Sequence, residues 1–427
     1  MATLSNSLRH VKAQLDTLLP EQEIFTLCGQ LGHVWRDRVL NPALTVQIFL
    51  LQLLAQVALR GVRHVAKLQV TAQAICKAKQ RLPLQLLMKL VGRSVPSNPT
   101  SLWKGLTVYL ADGTSFNTPD TPELDRRYGK ARNQRGTSWG FPTPKLLALM
   151  DLAGGFIVKV IILPAARQEF TCLSRLFRAV GPQGLLLGDR GLVSFTHMAL
   201  LIKSGIQGCF RLPRRQVVRG RGKASRRLIK RLGHQDLLVR WIASRRPAWL
   251  SELRWQGLVN TELTLRQISF RVCRKGFRTH WAWIITTLLD PEEYPAEELI
   301  DLYSKRWQIE VYFRDLKQTL GTVMISARTV PGIQKEILAF VLLYNLVRRV
   351  MQHAALQQGT TPDRISFIDA LRWLLWSGPG EPIPKLVVNP IRLRPSPPRQ
   401  LKNAPHRFPP LKQPRATLTK PRYQVKL

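Results

Sequence analysis

In the segment YSKRWQIEVYFRDLK, Tyr303, Arg306, Glu310 and Lys317 are spaced three, four and seven residues apart. At ~100° of rotation per residue in an α-helix they project within roughly 60° of one another, so one helix face is predicted to carry an acid and two bases. A neighbouring stripe of Leu302, Ile309, Phe313, Leu316 and Leu320 has the spacing of a buried face and would press the polar stripe against the edge of a core. Catalytic groups are usually placed at such an edge. Pairs at i,i+4 such as Arg306–Glu310 would give the same stripe an ordinary structural use, so the rest of the chain has to decide.

Two aspartates give the glutamate partners. Asp112 ends the hydrophobic run Thr107–Ala111 and is followed by Gly113-Thr114, so its side chain is predicted at the rim of a sheet, with small neighbours that leave room for a ligand. Asp189 stands the same way in GLLLGDRG. Together with Glu310, these carboxylates could hold two Mg²⁺ ions ~3.5–4 Å apart and activate a water or hydroxyl for in-line attack on phosphorus. Hard cations prefer oxygen ligands, in keeping with eight histidines that form no cluster. The acidic competitors have local explanations. Asp151 precedes the turn at Ala153–Gly155, and Asp120, Glu123 and Asp125 lie in the polar loop NTPDTPELDRR. Asp189 beside Arg190 could itself be a strand-end ion pair.

The elements that must position these groups are predicted from texture. Residues 1–100 read as a helical N-terminal domain closed by the breaker-rich VPSNPT, and Val65–Leu82 could be a turn and a basic helix, loosely like a helix-turn-helix. From Leu106, short β-rich runs alternate with helices. After the strand before Asp112, Leu146–Asp151 and Phe156–Leu163 read as a hairpin, Leu185–Leu187 as a buried strand, and Gly208–Leu212 as another, with helices at Gln168–Val180 and Phe195–Lys203. Three antiparallel strands followed by α/β units is the order of a ribonuclease H-like mixed-sheet core, here residues 101–213. A β-rich basic insertion at 214–279 opens with RRQVVRGRGKASRRLIKR, whose charge density suits contact with phosphates, and has strand-like runs at Asp236–Ala243 and Leu263–Cys273. Residues 280–378 return to the core with the strand Trp281–Leu288 and helices at Pro291–Gly321, Ile333–Gln358 and Ile365–Trp376. The tail, 379–427, is rich in proline and basic residues and has no acid after Glu381, so it lacks the apolar surface to fold alone.

Composition limits the partner. With 65 Lys+Arg against 26 Asp+Glu, the formal charge is +39 over 427 residues, which calls for a polyanion. The charge is dispersed, not gathered on one amphipathic helix, which favours nucleic acid over a membrane. The apolar run Ala43–Leu59 is interrupted by Thr45, Gln47, Gln52 and Gln56 and reads as a buried helix. Five scattered cysteines suggest neither a disulfide framework nor a zinc finger, and the N-terminus lacks a secretory h-region. A cytoplasmic protein with access to the chromosome is expected.

Asp112-Gly-Thr, Gly188-Asp189-Arg-Gly and Tyr303-x2-Arg306-x3-Glu310-x6-Lys317 together resemble the bacterial insertion-sequence transposases of the DDE class that carry a Tyr-Arg-Glu-Lys signature. The likeness covers roughly Leu106–Gly321 and extends to the C-terminal helix and the Lys420-Pro-Arg ending. It implies a ribonuclease H-like core with a β insertion between the second Asp and the Glu. It further implies DNA cleavage and strand transfer at the inverted-repeat ends of a transposon, by a homodimer in a synaptic complex with target DNA. Asp112, Asp189 and Glu310 would bind two Mg²⁺ ions, for which Mn²⁺ could substitute. Arg306 and Lys317 would grip phosphates near the cut, and Tyr303 would give DNA a hydrogen bond or a stacking contact. In relatives that excise through a hairpin, a flipped base stacks on a tryptophan at the place of Trp283, with Trp281 on the same strand face. Two other functions fit parts of the pattern: a metal-dependent nuclease or recombination enzyme without strand transfer, and a basic nucleic-acid-binding protein without catalysis. The second leaves carboxylates at two strand ends unexplained.

Overall fold

The computed structural model describes residues 19–386 apart from residues 37, 67, 98–100, 133–137, 221, 224, 244, 274–278, 322–324 and 378–380. Most of the basic tail, from residue 387, therefore lies outside the described residues. Thr107–Ser115 forms β1, and after a short helix, Pro122–Tyr128, comes a small ribbon of β2 (Lys130–Arg132) and β3 (Ser138–Pro142). β4 (Lys145–Asp151) and β5 (Ile157–Leu163) form the expected hairpin, with the Asp151 carboxylate accepting from Gly154 N at 2.6 Å and Phe156 N at 2.7 Å. Asp151 is thus a turn former. β6 (Gly184–Gly188) and β7 (Gln207–Arg211) follow, joined by the helix Phe195–Lys203. In place of one helix over Gln168–Val180, the chain makes a 3₁₀ segment, Glu169–Arg175, and a single α-turn, Phe177–Val180.

β1 lies between β4, its antiparallel neighbour, and β6, its parallel neighbour, while β7 runs parallel to β6. The order β5-β4-β1-β6-β7 is that of the ribonuclease H-like mixed sheet. Alternate residues of each strand point to opposite faces. Val108, Leu110, Leu185, Leu187 and Cys209 join a large core on one face, whereas Ala111, Leu186 and Phe210 join a second core on the other.

The insertion lengthens this sheet. Its strands β8 (Gly222–Lys223), β9 (Arg226–Gly233), β10 (Asp236–Ile242) and β11 (Glu262–Val272) pair in sequence, and the returning β12 (His280–Thr286) lies between β11 and β7, both antiparallel to it. The result is one continuous ten-stranded sheet.

Helices cover the first core. Val330–Gln357, N-capped by Thr329, runs beneath the sheet. Its fully buried Asn345 bridges elements, exchanging bonds with both Ile157 N and Ile157 O and donating to Ser94 Oγ at 2.8 Å. The N-terminal helices Glu21–Gln30, Pro42–Leu54 and Leu84–Ser94 contribute Ile24, Leu50 and Leu87 to this same core, beside Leu110 and Leu343. The polar positions of Pro42–Leu54 are buried along with its apolar ones, as expected of a buried helix.

Candidate active site

β1 does not end at Ala111. It continues to Ser115 against β4, with Asp112 opposite Ala148, and it is β6 that stops, at Gly188 opposite Ala111. Asp112 therefore sits where one side of its strand loses its partner, and Asp189 follows immediately after that partner. The parallel register puts the two aspartates at the same level on adjacent strands. Continuing the alternation of Val108 and Leu110, and of Leu185 and Leu187, both side chains fall on the face of the large core. Helix Gln308–Arg314, which carries Glu310, packs against β1 on that face.

The predicted single helix through Tyr303–Lys317 is broken. Ala296–Ser304 is α-helical, Lys305–Trp307 is a 3₁₀ turn, Gln308–Arg314 is α-helical again, and Asp315–Thr319 is a π turn. A 3₁₀ turn rotates about 120° per residue and a π turn less than an α-helix, so the expected common stripe is re-phased. The apolar stripe survives: Leu302, Ile309, Phe313, Leu316 and Leu320 are all buried. The polar residues separate. Tyr303 and Arg306 are buried, Glu310 is exposed, and Lys317 is half-buried with its Nζ 5.8 Å from the Phe116 ring centroid.

The buried pair faces the aspartates. Tyr303 Oη donates to the carbonyl of Gly188, next to Asp189, at 3.2 Å. Burial pushes its phenol pKa well up, so it stays a donor. Its hydroxyl is thus committed to the backbone beside Asp189. Arg306 is 6% exposed and lies 5.4 Å over the Trp307 ring, and among the described residues its Nε has no hydrogen-bond partner.

Asp112 registers all of these neighbours. Burial raises its carboxyl pKa above the usual range, and the charges of Asp189 and Glu310 raise it further, against the Gly113 N–H at 2.8 Å and the Arg306 cation, which lower it. Two carboxylates and a guanidinium thus act on a third carboxylate across one space. Among the described residues no three acidic, His or Cys side chains stand close enough together to hold a metal ion, so the three acids feel one another's charge without being gathered as ligands. Their all-oxygen chemistry fits a hard divalent cation, which would relieve the repulsion at Asp112.

Two features had no clear sequence signal. Arg211 follows β7's apolar GCF run and, one residue past the Gly188–Phe210 pair, lies level with Asp189 on the same face as Cys209. Tyr312 braces the glutamate's helix. Its hydroxyl donates to Leu152 O at 3.2 Å, and its ring lies 4.8 Å under the guanidinium of buried Arg348, whose Nε holds Gly154 O. Gly155 has φ +71°, and a Cβ there would stand 2.2 Å from Arg348 Nη2, so the hairpin needs glycine at this position.

Trp281 and Trp283 are not gathered with the carboxylates. They share the face of Ile285, in the second core, and lie two strand spacings, ~10 Å, from β6. Both project past the end of β7 at the same rim of the sheet, with Arg219 5.7 Å over the Trp283 ring.

Phenylalanine at position 303 would keep the packing and free the Gly188 carbonyl. Tyr303→Phe is expected to slow chemistry at the carboxylates roughly three- to tenfold, the equivalent of ~1 kcal/mol, with affinity for nucleic acid unchanged. Single-turnover rates beside equilibrium binding would show this; weaker binding with an unchanged rate per complex would make Tyr303 a DNA contact after all.

A family model described as "Transposase DDE domain" matches residues 103–346, from the isolated bridge before β1 into the long helix. The chain is 27% identical over 364 residues to transposase InsG of the insertion sequence element IS4 from Escherichia coli K12, covering 80% of this chain and 78% of that protein. It is also 27% identical over 143 residues to InsZ of the same strain, described as a transposase, covering 32% of this chain and 47% of InsZ. A cryo-EM structure of the piggyBac transposase synaptic complex with hairpin DNA aligns over 87% of this chain and 78% of its own, with a TM-score of 0.43 and 8% identity.

Proposed function

This chain belongs to the DDE transposase family and is a DNA transposase, and we propose that Asp112, Asp189 and Glu310 are the residues that hold its divalent metal. The observation that carries this is the parallel register of Ala111 with Gly188, which leaves two aspartates side by side beneath the helix of Glu310. Use of a divalent metal comes with the family; Mg²⁺, as two ions, is the choice favoured by three carboxylates without Cys or His. Bound there, the metal would acidify the attacking water or 3′-hydroxyl and offset charge on the scissile phosphate.

The protein's own groups do the rest. Asp112 and Asp189 are set by two hydrogen-bonded strands and Glu310 by a helix braced through Tyr312, so the acids start from rigid elements. Tyr303 fixes the Gly188 carbonyl and with it the chain leading to Asp189. Arg306 brings a buried cation with an unused Nε to the acids, suited to a phosphate oxygen entering between them. Arg211 and Lys317 add positive charge at the flanks. Exposed Trp281, or Trp283 once Arg219 withdraws, is the candidate platform for an extruded base at the rim.

The substrates are transposon ends and a target duplex, joined by a homodimer that pairs the ends, in the cytoplasm where the nucleoid is accessible. The formal charge of +39 and five free cysteines accord with this. Incubating the protein with a labelled transposon end, a target plasmid and Mg²⁺ is expected to give both cleaved ends and ends covalently joined to the plasmid. Cleavage without any joined product would instead favour a nuclease with the same fold.

A further inference from the structure

The excess of positive charge is interrupted at one place. Asp290, Glu292, Glu293, Glu297 and Glu298, five of the chain's 26 acids, fall within nine residues, and no Lys or Arg occurs from Trp281 to Ser304. This acidic turn joins β12 to the helix Ala296–Ser304 at the rim where β1, β6 and β7 begin. There Thr287 N donates to Gly208 O at 3.0 Å, Thr107 N donates to Gln183 O at 3.0 Å, and Tyr294 stacks on Trp103 at 5.8 Å. The turn lies on the face of the large core, to which Tyr294 and Leu299 belong. All five acids are exposed. Glu298 is paired with Lys104 at 3.0 Å, and Asp290 accepts from Glu292 N at 2.8 Å, whereas Glu292 and Glu297 have no ion-pair partner among the described residues. Leu289, just before them, is 37% exposed.

The other face of the same rim carries the opposite charge. A groove of about 540 Å³ runs beneath the turns that lead into β6 and β7, floored by Phe177 and Leu200 of the second core. Arg178, Lys203 and Arg254 line it, and among the described residues no acidic side chain does. They come from three segments: Phe177–Val180, Phe195–Lys203 and the insertion's helix Glu252–Gln256. Lys203 leans toward that last helix, its Nζ 3.4 Å from where a Cβ on Gly257 would stand. The acid of that helix, Glu252, is held by Arg246 at 2.9 Å, so the three cations have no ion-pair partner among the described residues. Beside them Leu253 and Ile202 are 86% and 44% exposed.

We propose that this rim is a contact between two copies of the chain, in which the acidic turn of each seats in the Arg178, Lys203 and Arg254 groove of the other. Opposite charges on the two faces of one rim are what a two-fold axis through that rim requires, because it lays each patch on its complement. The exposed Leu289, Leu253 and Ile202 border the two patches and would be covered with them. Net positive charge opposes association, but at ~0.15 M salt the Debye length is ~8 Å, so distant charges are largely screened while apposed patches are not. A DNA duplex laid along this rim would meet the acidic turn as well as the groove, which favours a second copy as the occupant. Asp112 and Asp189 stand at the far ends of their strands, so the contact turns the two carboxylate sites outward. It is therefore separate from any pairing of transposon ends, and it needs neither DNA nor metal.

The test is analytical ultracentrifugation of the full-length protein over the micromolar range, without DNA or divalent metal. The wild type is expected to show a concentration-dependent monomer–dimer equilibrium. Lys203→Glu with Arg254→Glu, and separately Glu292→Lys with Glu297→Lys, should each weaken it about tenfold or more, because like charges then face each other. An equimolar mixture of these two proteins should dimerise about as tightly as the wild type, since each reversed patch meets a complementary one. Where a double variant is not native by circular dichroism, Arg254→Glu and Glu292→Lys are read in the same way. A wild type that stays monomeric, reversals that leave dimerisation intact, or a mixture of natively folded variants that fails to dimerise would each overturn the proposal. So would a groove reversal that weakens DNA binding in a protein that is always monomeric, which would assign the groove to DNA. Because the measurement uses no metal or DNA, a failed assignment of Asp112, Asp189 and Glu310 leaves the result intact.

Discussion

Replacing Asp112, Asp189 or Glu310 with alanine is expected to lower Mg²⁺-dependent cleavage more than ~100-fold while DNA binding persists. Losing a partner outside the coordination sphere of a metal already costs ~10–100-fold, and these residues are proposed to contact the metal itself. Asp112 carries a second signature. Its pKa in the folded protein lies above that of an unfolded aspartate, because of burial and the charges of Asp189 and Glu310. A raised folded pKa means that the native state binds the proton more tightly, so stability is fullest below the unfolded pKa and falls as pH rises through the folded one. At neutral pH the ionised group therefore costs stability. Asp112→Asn should unfold at a higher temperature than the wild type while being inactive, and added Mg²⁺ should stabilise the wild type but not the variant. Thermal unfolding with and without Mg²⁺ reads both effects. Full cleavage by any of the three alanine variants would remove that residue from the metal site.

Asp236→Ala is expected to cost about 3–5 kcal/mol of stability, because it leaves the cation of Arg266 buried without its partner. Arg266 is fully buried on β11, and its Nε reaches both oxygens of Asp236 at 2.9 and 3.0 Å. Its Nη1 donates to Asp290 O and Tyr294 O at 3.2 and 2.6 Å. Those carbonyls lie just before Ala296–Ser304, the helix that carries Tyr303, so the ion pair also ties the insertion to the approach to the catalytic face. Replacing both partners at once, with Asp236→Leu and Arg266→Met, should recover much of the loss, since a well-packed apolar pair can equal a buried ion pair. Urea unfolding of the three variants separates the outcomes. A loss under ~1 kcal/mol for the single change would mean that water reaches the pair.

The candidate site was legible where local pattern determines local structure. Gly154-Gly155 after Asp151 specified a hairpin because a tight turn needs a backbone free of Cβ, and the side-chain contact of Arg348 makes the same demand. Apolar runs ending at an aspartate beside glycine marked Asp112 and Asp189, and the stripe Leu302, Ile309, Phe313, Leu316 and Leu320 identified the buried side of the glutamate's helix. The 3₁₀ turn at Lys305–Trp307 was not legible. Its residues suit an α-helix equally well, and the tighter winding goes with Tyr303 and Arg306 turning toward the sheet, which spacing alone does not reveal. Arg211 escaped notice because only the register of β6 with β7 makes it a neighbour of Asp189.

By itself, then, the sequence determined the strand and helix periods, the carboxylates proposed here to hold a metal, and the excess of positive charge that demands a polyanion. These depend on side-chain type and on spacing within a few residues. The tertiary structure alone decided that the insertion continues the catalytic sheet, that the N-terminal helices share its core, and that Asp112, Asp189 and Glu310 meet on one face while Trp283 lies on the other. Each of those outcomes is set by hydrogen-bond register and packing between segments far apart in the chain, and local periodicity carries no information about either.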